Sequence, residues 1–418
     1  VASNALRIFK DKIDVDLFKN PNEFIKHLET NIPKIVCFSN YIWNSNLSYE
    51  FAKRIKEKSP NTIVIFGGPN YPLDAEEQES FLISHPYVDF YLQKEGEQAF
   101  VELLKKLFEY NFDTTQIKQH QVNIPNTHYL NNGKIVLGEL LPRITDLNEI
   151  PSPYLTGLCD KFLSQNLIPL IQTTRGCPFT CTYCQEGNSY FSKIPRFSSE
   201  RIKQEIEYIA QRTTTPTLEL ADSNFGMYEE DIKICKDIAE IQKKYNWPKF
   251  FLGIDGKNCK SRILEAASIV KGSLLMAPVQ STSKEVLKNI KRQGISIDQM
   301  VEIVKESEKI GSSSFSEVIL CLPGDTKNTH FNSILDLINS EIDIVRSHQL
   351  IMLPGSEAAT RKNREEYGLI TRFRVTPGTS ESYNLFEETF AAPEIDEICV
   401  ASNSMSFNDY LECRLFNL

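Results

Sequence analysis

The sequence predicts an α/β fold in two successive parts: a Rossmann-like parallel sheet with helices on both faces, then an open or partial (β/α)6 barrel. Three observations predict it. Short apolar runs alternate with amphipathic stretches over the first 110 residues. A weakly patterned, polar stretch follows over residues 111–165, with prolines at Pro125, Pro142, Pro151 and Pro153. A second alternating series, six apolar runs long, starts at Asn166. Strand–helix alternation at this spacing is the mark of parallel sheets joined by helical crossovers.

In the first part (1–110), Asp14–Phe18 reads as a strand, and Asn20-Pro21-Asn22-Glu23 opens a helix to about Leu28. Lys34–Ser39 is a second strand, followed by a helix to about Lys58. Thr62–Phe66 is a third, ending at Gly67-Gly68-Pro69; Val88–Leu92 is a fourth, and Glu97–Phe108 a helix. In such folds ligands sit at the carboxyl ends of the strands. Residues 111–165 read as a linker with a small hairpin around Asn131-Asn132-Gly133. In the barrel (166–365) the expected strands are Leu167–Thr173, Thr217–Leu220, Phe250–Ile254, Ser273–Met276, Ser316–Cys321 and Val345–Met352. Helices are expected over Ser199–Gln211, Glu229–Lys244, Lys284–Lys291 and Ile297–Ile310. Residues 366–418 form a C-terminal extension.

The length of 418 residues suits two domains. A hydrophobic content of 41% with 24% charged residues is that of a soluble globular chain. The net charge of −9 argues against a broad nucleic-acid surface. No apolar run is long enough to span a bilayer, and no signal peptide is found. The chain opens on Val-Ala-Ser-Asn rather than Met and closes without an obvious stop, so a fragment of a longer protein is expected. Of ten cysteines only three cluster; the scattered ones read as buried thiols in a reducing, cytoplasmic compartment.

The clustered three lie in Thr-Thr-Arg-Gly-Cys-Pro-Phe-Thr-Cys-Thr-Tyr-Cys, residues 173–184. Cysteine thiolates hold iron–sulfur clusters, and three of them on a four-iron cube leave one iron open to a ligand. A structural zinc knuckle would want four ligands, and no second CxxC or HxxxH stands nearby.

CxxxCxxC with an aromatic before its last cysteine resembles the signature of the radical S-adenosylmethionine (SAM) superfamily. The resemblance implies a [4Fe–4S] cluster on Cys177, Cys181 and Cys184, with its open iron chelated by the amino and carboxylate groups of SAM. It implies reductive cleavage of SAM to a 5′-deoxyadenosyl radical, and it gives Tyr183 the aromatic position that helps seat the adenine. Asp222 and Asn224, in Glu219-Leu220-Ala221-Asp222-Ser223-Asn224-Phe225, fall where the family meets the SAM amino group; the same residues can cap the next helix. Gln280 and Ser281 resemble the ribose-contacting position, although Ser281 can equally be a cap. Val318–Thr326 resembles the segment lining the adenine pocket. Arg292 can face the SAM carboxylate or simply be solvated.

The resemblance extends upstream. Phe38-Ser39-Asn40-Tyr41-Ile42-Trp43-Asn44, Phe66-Gly67-Gly68-Pro69 and Lys94-Glu95-Gly96-Glu97 are similar to the cobalamin-binding domain that precedes the barrel in one large radical SAM class. This implies cobalamin as a third cofactor, with Ser39, Gly67 and Gly68 at its edge. A Gly-Gly at a strand end lets a cofactor's tail pass close to the backbone, and it can also be a plain turn. The Asp-x-His-x-x-Gly loop of methionine-synthase-type domains is missing: none of the six histidines has a glycine three residues later. That loop would follow a first strand lying before Val1, and many members of the class lack the histidine. Glu95 and Glu97 read as structural.

The implied function is a cobalamin-type radical SAM enzyme, a transferase that methylates an unactivated carbon or begins a rearrangement or cyclisation. Its partners would be a small-molecule substrate and an electron donor such as flavodoxin or ferredoxin, not nucleic acid. A radical SAM enzyme working without cobalamin is one alternative. The RNA methylthiotransferases among those carry three further N-terminal cysteines, against only Cys37 and Cys159 here. A non-catalytic iron–sulfur or corrinoid-binding module is another. The motifs do not name the substrate.

Overall fold

The computed structural model describes residues 1–254, 256–293, 296–311 and 313–417, the side chain of residue 310 excepted. The chain forms two compact units. The first holds Val1–Ile144, Met352–Gly355 and Phe373–Glu397, the second Thr145–Ile351, Ser356–Arg372 and Ile398–Leu418.

The first unit is built on strands β1 (Ile35–Ser39), β2 (Ile63–Gly67), β3 (Phe90–Leu92), β4 (Thr127–Asn131) and β5 (Lys134–Leu137), hydrogen-bonded in that order. The first three pair in parallel, and β4 and β5 add antiparallel. Ile63-Val64-Ile65-Phe66 is apolar throughout because β2 is covered on both faces. Ile63 and Ile65 pack with Phe90 and Leu103, whereas Val64 and Phe66 pack with Ala52 and Tyr91. The helix Pro21–Thr30 begins as the sequence predicts, the Asn20 side chain accepting from Asn22 N at 2.8 Å with proline in the first turn.

Three expectations for this unit change. Asp14–Phe18 is irregular chain following the helix Ala2–Phe9 and a short turn Lys10–Lys12. Among the described residues no strand pairs with it, and Asp16 Oδ1 takes the Leu17 N–H at 2.9 Å, a local bond that competes with strand formation. Residues 111–144 are no linker. The hairpin β4–β5, turning at Asn132 and Gly133 with positive φ, completes the sheet, and Ile117, Ile124 and Tyr129 enter the core. Part of the C-terminal extension also belongs here. The hairpin β12 (Ser382–Leu385) and β13 (Glu388–Ala391) buries Tyr383, Leu385 and Phe390 against Ile25, Phe51 and Ile55. Glu394 then takes the Asn46 and Leu47 N–H groups, each at 2.9 Å, in the first turn of the helix Ser45–Lys58.

The second unit carries β6 (Leu170–Ile171), β7 (Thr217–Leu220), β8 (Phe250–Ile254), β9 (Ser273–Met276), β10 (Ser314–Leu320) and β11 (Ile344–Gln349). Every neighbouring pair is parallel and the spatial order follows the sequence order. This is the partial barrel expected from the sequence, open between its first and last strands. Helices Ser199–Ala210, Glu229–Tyr245, Lys260–Ile269, Ile297–Ile310 and Lys327–Asn339 connect or flank the strands. The main core joins Ile202, Ile206 and Ile238 to Leu218, Leu220 and Phe251. Ile297–Ile310 starts on a reciprocal cap between Ser296 and Gln299. The helices at Lys260 and Lys327 are additions to the sequence reading.

The scattered cysteines divide. Cys235, Cys321, Cys399 and Cys413 are buried as expected, but Cys37 and Cys259 are exposed and Cys159 is half-buried.

Candidate functional site

β6 delivers the chain to Thr173 and Thr174, and the cysteine loop follows. Asp222, just past β7, fastens this point. Its Oδ1 accepts from Thr173 N at 2.7 Å; its Oδ2 accepts from Thr174 N at 3.0 Å, from Thr174 Oγ1 at 2.9 Å and from the Thr173 hydroxyl. Four donors match the acceptor capacity of one carboxylate. Burial still raises the Asp222 pKa, outweighing those hydrogen bonds. Asp222 therefore neither caps a helix nor offers a free oxygen: it ties two strand ends together behind the loop.

The loop itself is wound tightly. Cys177 N donates to Phe191 O at 3.0 Å, and Gly187 N to Cys184 O at 3.1 Å. A Cβ at Gly187 would lie 2.1 Å from the Cys181 carbonyl oxygen, so only glycine lets the chain pass there.

Cys177 and Cys181 are each 3% exposed, and Cys184 is half-buried. Polar groups surround the sulfurs. Asn224 Nδ2 donates to Cys177 Sγ at 3.2 Å, and Lys257 Nζ approaches the same sulfur at 3.8 Å. Arg292 Nη1 lies 4.0 Å from Cys181 Sγ and donates to the Tyr183 hydroxyl at 2.7 Å, while Nη2 bonds the Pro278 carbonyl. Arg292 is therefore a buried residue of the site, not a solvated one; Pro278 and the Tyr183 ring replace its water. Burial raises the Cys184 thiol, with Lys257 among the influences opposing it. Burial raises the Tyr183 phenol as well, against the pull of Arg292.

Several polar atoms here are buried without a hydrogen-bond partner among the described residues: Asn224 Oδ1, Gln280 Oε1, Thr182 Oγ1 and Arg292 Nε. Orphaned buried groups are costly and call for a ligand or water. An amide oxygen, a hydroxyl and a guanidinium N–H, on residues that touch or adjoin the cysteines, suit a zwitterionic amino acid on an iron–sulfur cluster. No three His, Cys, Asp or Glu side chains among the described residues are gathered for a single metal ion. A four-iron cube spreads its ligands more widely than one tetrahedral ion does.

The sequence-derived residues thus separate. Cys177, Cys181, Cys184, Tyr183 and Asn224 come together, with Asp222 behind them. Gln280 follows β9 with φ of 67° and bridges to Val318 on β10. The Ser281 hydroxyl is engaged locally, accepting from Ser283 N at 3.2 Å and lying 3.4 Å from Ser333 Oγ. Lys257 was not anticipated; its signal was a lone cation past the end of β8, the position at which the other strands place their site residues.

In the first unit, Ser39 ends β1, its hydroxyl accepting from Asn44 Nδ2 at 3.1 Å, and Gly67 ends β2. At Gly68 (φ 139°) a Cβ would sit 2.5 Å from the Asn40 carbonyl oxygen, so the glycine serves the close approach of two strand ends. Asn40 is fully buried and donates to Asn70 O at 2.8 Å and Tyr91 OH at 3.1 Å. Beyond it Trp43, 59% exposed, stacks on Tyr41 at 4.5 Å. Glu95 is structural: its carboxylate accepts from Ile144 N at 2.7 Å, with Arg143 Nε at 3.8 Å.

Known proteins share both halves of this plan. The sequence-family model for the radical SAM superfamily matches residues 171–338, and that for the B12 binding domain matches residues 3–104. The chain belongs to the radical SAM superfamily, in its cobalamin-binding class. It is 30% identical over 384 residues to the cobalamin-dependent radical SAM methyltransferase TokK of Streptomyces tokunonensis, covering 86% of this chain and 54% of TokK. It is 27% identical over 398 residues to the 2-(S-pantetheinyl)-carbapenam-3-carboxylate methyltransferase of Streptantibioticus cattleyicolor, covering 91% and 55%. This radical SAM chain thus spans about half the length of the two curated relatives. Among solved structures, the radical SAM methyltransferase TsrM of Kitasatospora setae superposes with a TM-score of 0.66 at 12% identity, over 90% of this chain and 76% of TsrM, a likeness of fold. A radical SAM chain with a B12-binding domain has a [4Fe–4S] cluster, SAM and cobalamin as cofactors. Among the described residues no helix is long and apolar enough to cross a membrane.

Proposed function

We propose that this chain carries the cofactor sites of a cobalamin-dependent radical SAM methyltransferase acting on a small molecule. The observation that carries the reading is the set of polar side chains at the Cys177 and Cys181 sulfurs, with an acceptor and a guanidinium N–H left unsatisfied among the described residues. Cys177, Cys181 and Cys184 hold the cluster. Asn224 Oδ1 accepts from the amino group of SAM, and Arg292 and Lys257 face anionic charge, the SAM carboxylate or the cluster. Gln280 faces the ribose, with Ser281 holding the turn beside it. Tyr183, fixed by Arg292, lies against the adenine, and Asp222 keeps the loop in register. In the first unit the carboxyl ends of β1 and β2, with Ser39, Gly67 and Gly68, form the cobalamin edge. Bound together, these cofactors supply a substrate radical and a transferable methyl group, while the protein positions them and excludes water.

The domain roles follow: residues up to about 144 serve cobalamin, and the six-stranded unit serves the cluster and SAM. A flavodoxin or ferredoxin in a reducing cytoplasm is the fitting electron donor.

The test is anaerobic reconstitution with iron, sulfide and hydroxocobalamin, followed by SAM and a strong reductant. Formation of both 5′-deoxyadenosine and S-adenosylhomocysteine is expected, the second only with cobalamin present. 5′-Deoxyadenosine alone would confine the chain to cobalamin-independent radical chemistry, and neither product would overturn the reading.

A further inference from the structure

When parallel strands follow one another in sequence order, right-handed crossovers put the connecting helices on one face of the sheet. β6 to β11 follow that order, so their other face is free of crossover helices. In closed barrels of this kind that face is filled by bulky branched side chains. Here it carries charge. Val318 on β10 packs with Val279, Ile334 and Leu337, and Val345 on β11 packs against the same cluster. Alternation along a strand then turns Phe315 and Glu317 on β10, and Arg346 and His348 on β11, the other way. Glu317 Oε1 and His348 Nε2 are 3.1 Å apart. The Arg346 guanidinium lies over the Phe315 ring, 5.4 Å from its centroid. Arg346 is exposed and has no ion-pair partner among the described residues.

We propose that Arg346, on this face, is the residue that reads the substrate, and that the substrate is an acidic small molecule whose carboxylate or phosphate it pairs with. The inference rests on the proposed function and names its substrate class. An aromatic face under a guanidinium holds its plane and leaves the fork of N–H donors outward, the geometry that matches planar oxyanions in pairs. Covering Arg346 with a ligand that lacked an anion would strand a desolvated charge. Glu317, the register neighbour of Arg346, places its carboxylate oxygen on His348, and no ion pair to Arg346 is formed among the described residues. Arg346 is a specificity residue; it takes no part in bond making.

The experiment uses the reconstituted full chain and two probes, tricarballylate for carboxylates and inorganic phosphate for phosphates, in calorimetric titrations. Wild type is expected to bind at least one probe, which also separates the two oxyanions. Arg346→Gln is expected to weaken that probe at least tenfold and Arg346→Lys to retain part of the affinity. Lys236→Gln, which removes an exposed cation from the helix Glu229–Tyr245, is expected to change nothing. Substrate-free release of 5′-deoxyadenosine is expected to be equal in wild type and Arg346→Gln, because Arg346 is outside the cofactor site. Equal probe binding by wild type and Arg346→Gln, or binding of neither probe, overturns the inference while normal 5′-deoxyadenosine release leaves the function standing. Failure of wild type to release 5′-deoxyadenosine overturns the function, and with it the identification of this face as a substrate site.

Discussion

Asn224 gives its amide N–H to the Cys177 sulfur at 3.2 Å and keeps its own carbonyl oxygen buried without a partner among the described residues. One side chain therefore meets the cluster ligand and the space beside it. Asn224→Ala is expected to keep iron binding, since the three thiols remain, and to weaken SAM. A hydrogen bond to a charged group is worth about 1.5–3 kcal/mol, or roughly ten- to a hundredfold in affinity. Equilibrium dialysis of SAM against the reconstituted variant checks this.

Arg292 joins the Tyr183 hydroxyl at 2.7 Å to the Pro278 carbonyl while itself buried. Arg292→Gln strands both partners, so a loss of about 1–3 kcal/mol in folding stability is expected. Tyr183→Phe removes one partner and costs less. Thermal unfolding of the reconstituted proteins ranks the two.

Gly187→Ala pushes a methyl group to 2.1 Å from the Cys181 carbonyl oxygen, whereas Gly133→Ala meets nothing within 4 Å. The first is expected to abolish cluster incorporation. The second pays only the left-handed backbone cost, about 1 kcal/mol, and keeps its iron. Iron and sulfide assays on both variants decide it.

His128 sits in the first unit with its Nδ1 3.2 Å from Tyr71 OH and its Nε2 2.8 Å from Gln93 Nε2. Burial, with Lys94 nearby, lowers its pKa to about 4 from an ordinary 6.5. The folded state thus holds this histidine neutral while the unfolded chain protonates it. Its contribution is fully present above about pH 6.5 and is lost as pH falls toward 4, on the order of 3 kcal/mol in all. Urea unfolding at pH 7.5 and 5.5 is expected to show the first part of that loss, about 1.3 kcal/mol, in wild type and a smaller one in His128→Gln.

Of the two tryptophans, Trp43 is exposed and Trp247 buried. Hydroxocobalamin docking at the carboxyl end of β1 is expected to quench the emission of Trp43. Trp43→Phe is expected to remove most of the quench, as a fluorescence titration would show.

Local patterns made much of this legible. The six strands of the second unit read clearly because each is a short apolar run beside an amphipathic helix, and the cysteine loop is a contiguous motif. What joined distant segments did not read. The sequence leaves Asp222 between a SAM contact and a helix cap because its four donors lie 48 and 49 residues away. The sequence leaves Arg292 between a SAM contact and a solvated residue because Tyr183 is 109 residues back. The hairpin at Tyr383 and Phe390 looked like an extension because its apolar face closes on Ile25 and Phe51, some of the longest separations in the chain. Residues 111–144 read as polar in part because β5 is the edge strand of its sheet, with exposed residues at both its ends.

The most direct measurement is electron paramagnetic resonance of the anaerobically reconstituted, dithionite-reduced chain, with and without SAM. A reduced [4Fe–4S] signal that changes on adding SAM and is absent from Cys181→Ala is the result expected of a three-thiolate cluster with an open iron. A signal indifferent to SAM, or an intact one in Cys181→Ala, would contradict the account.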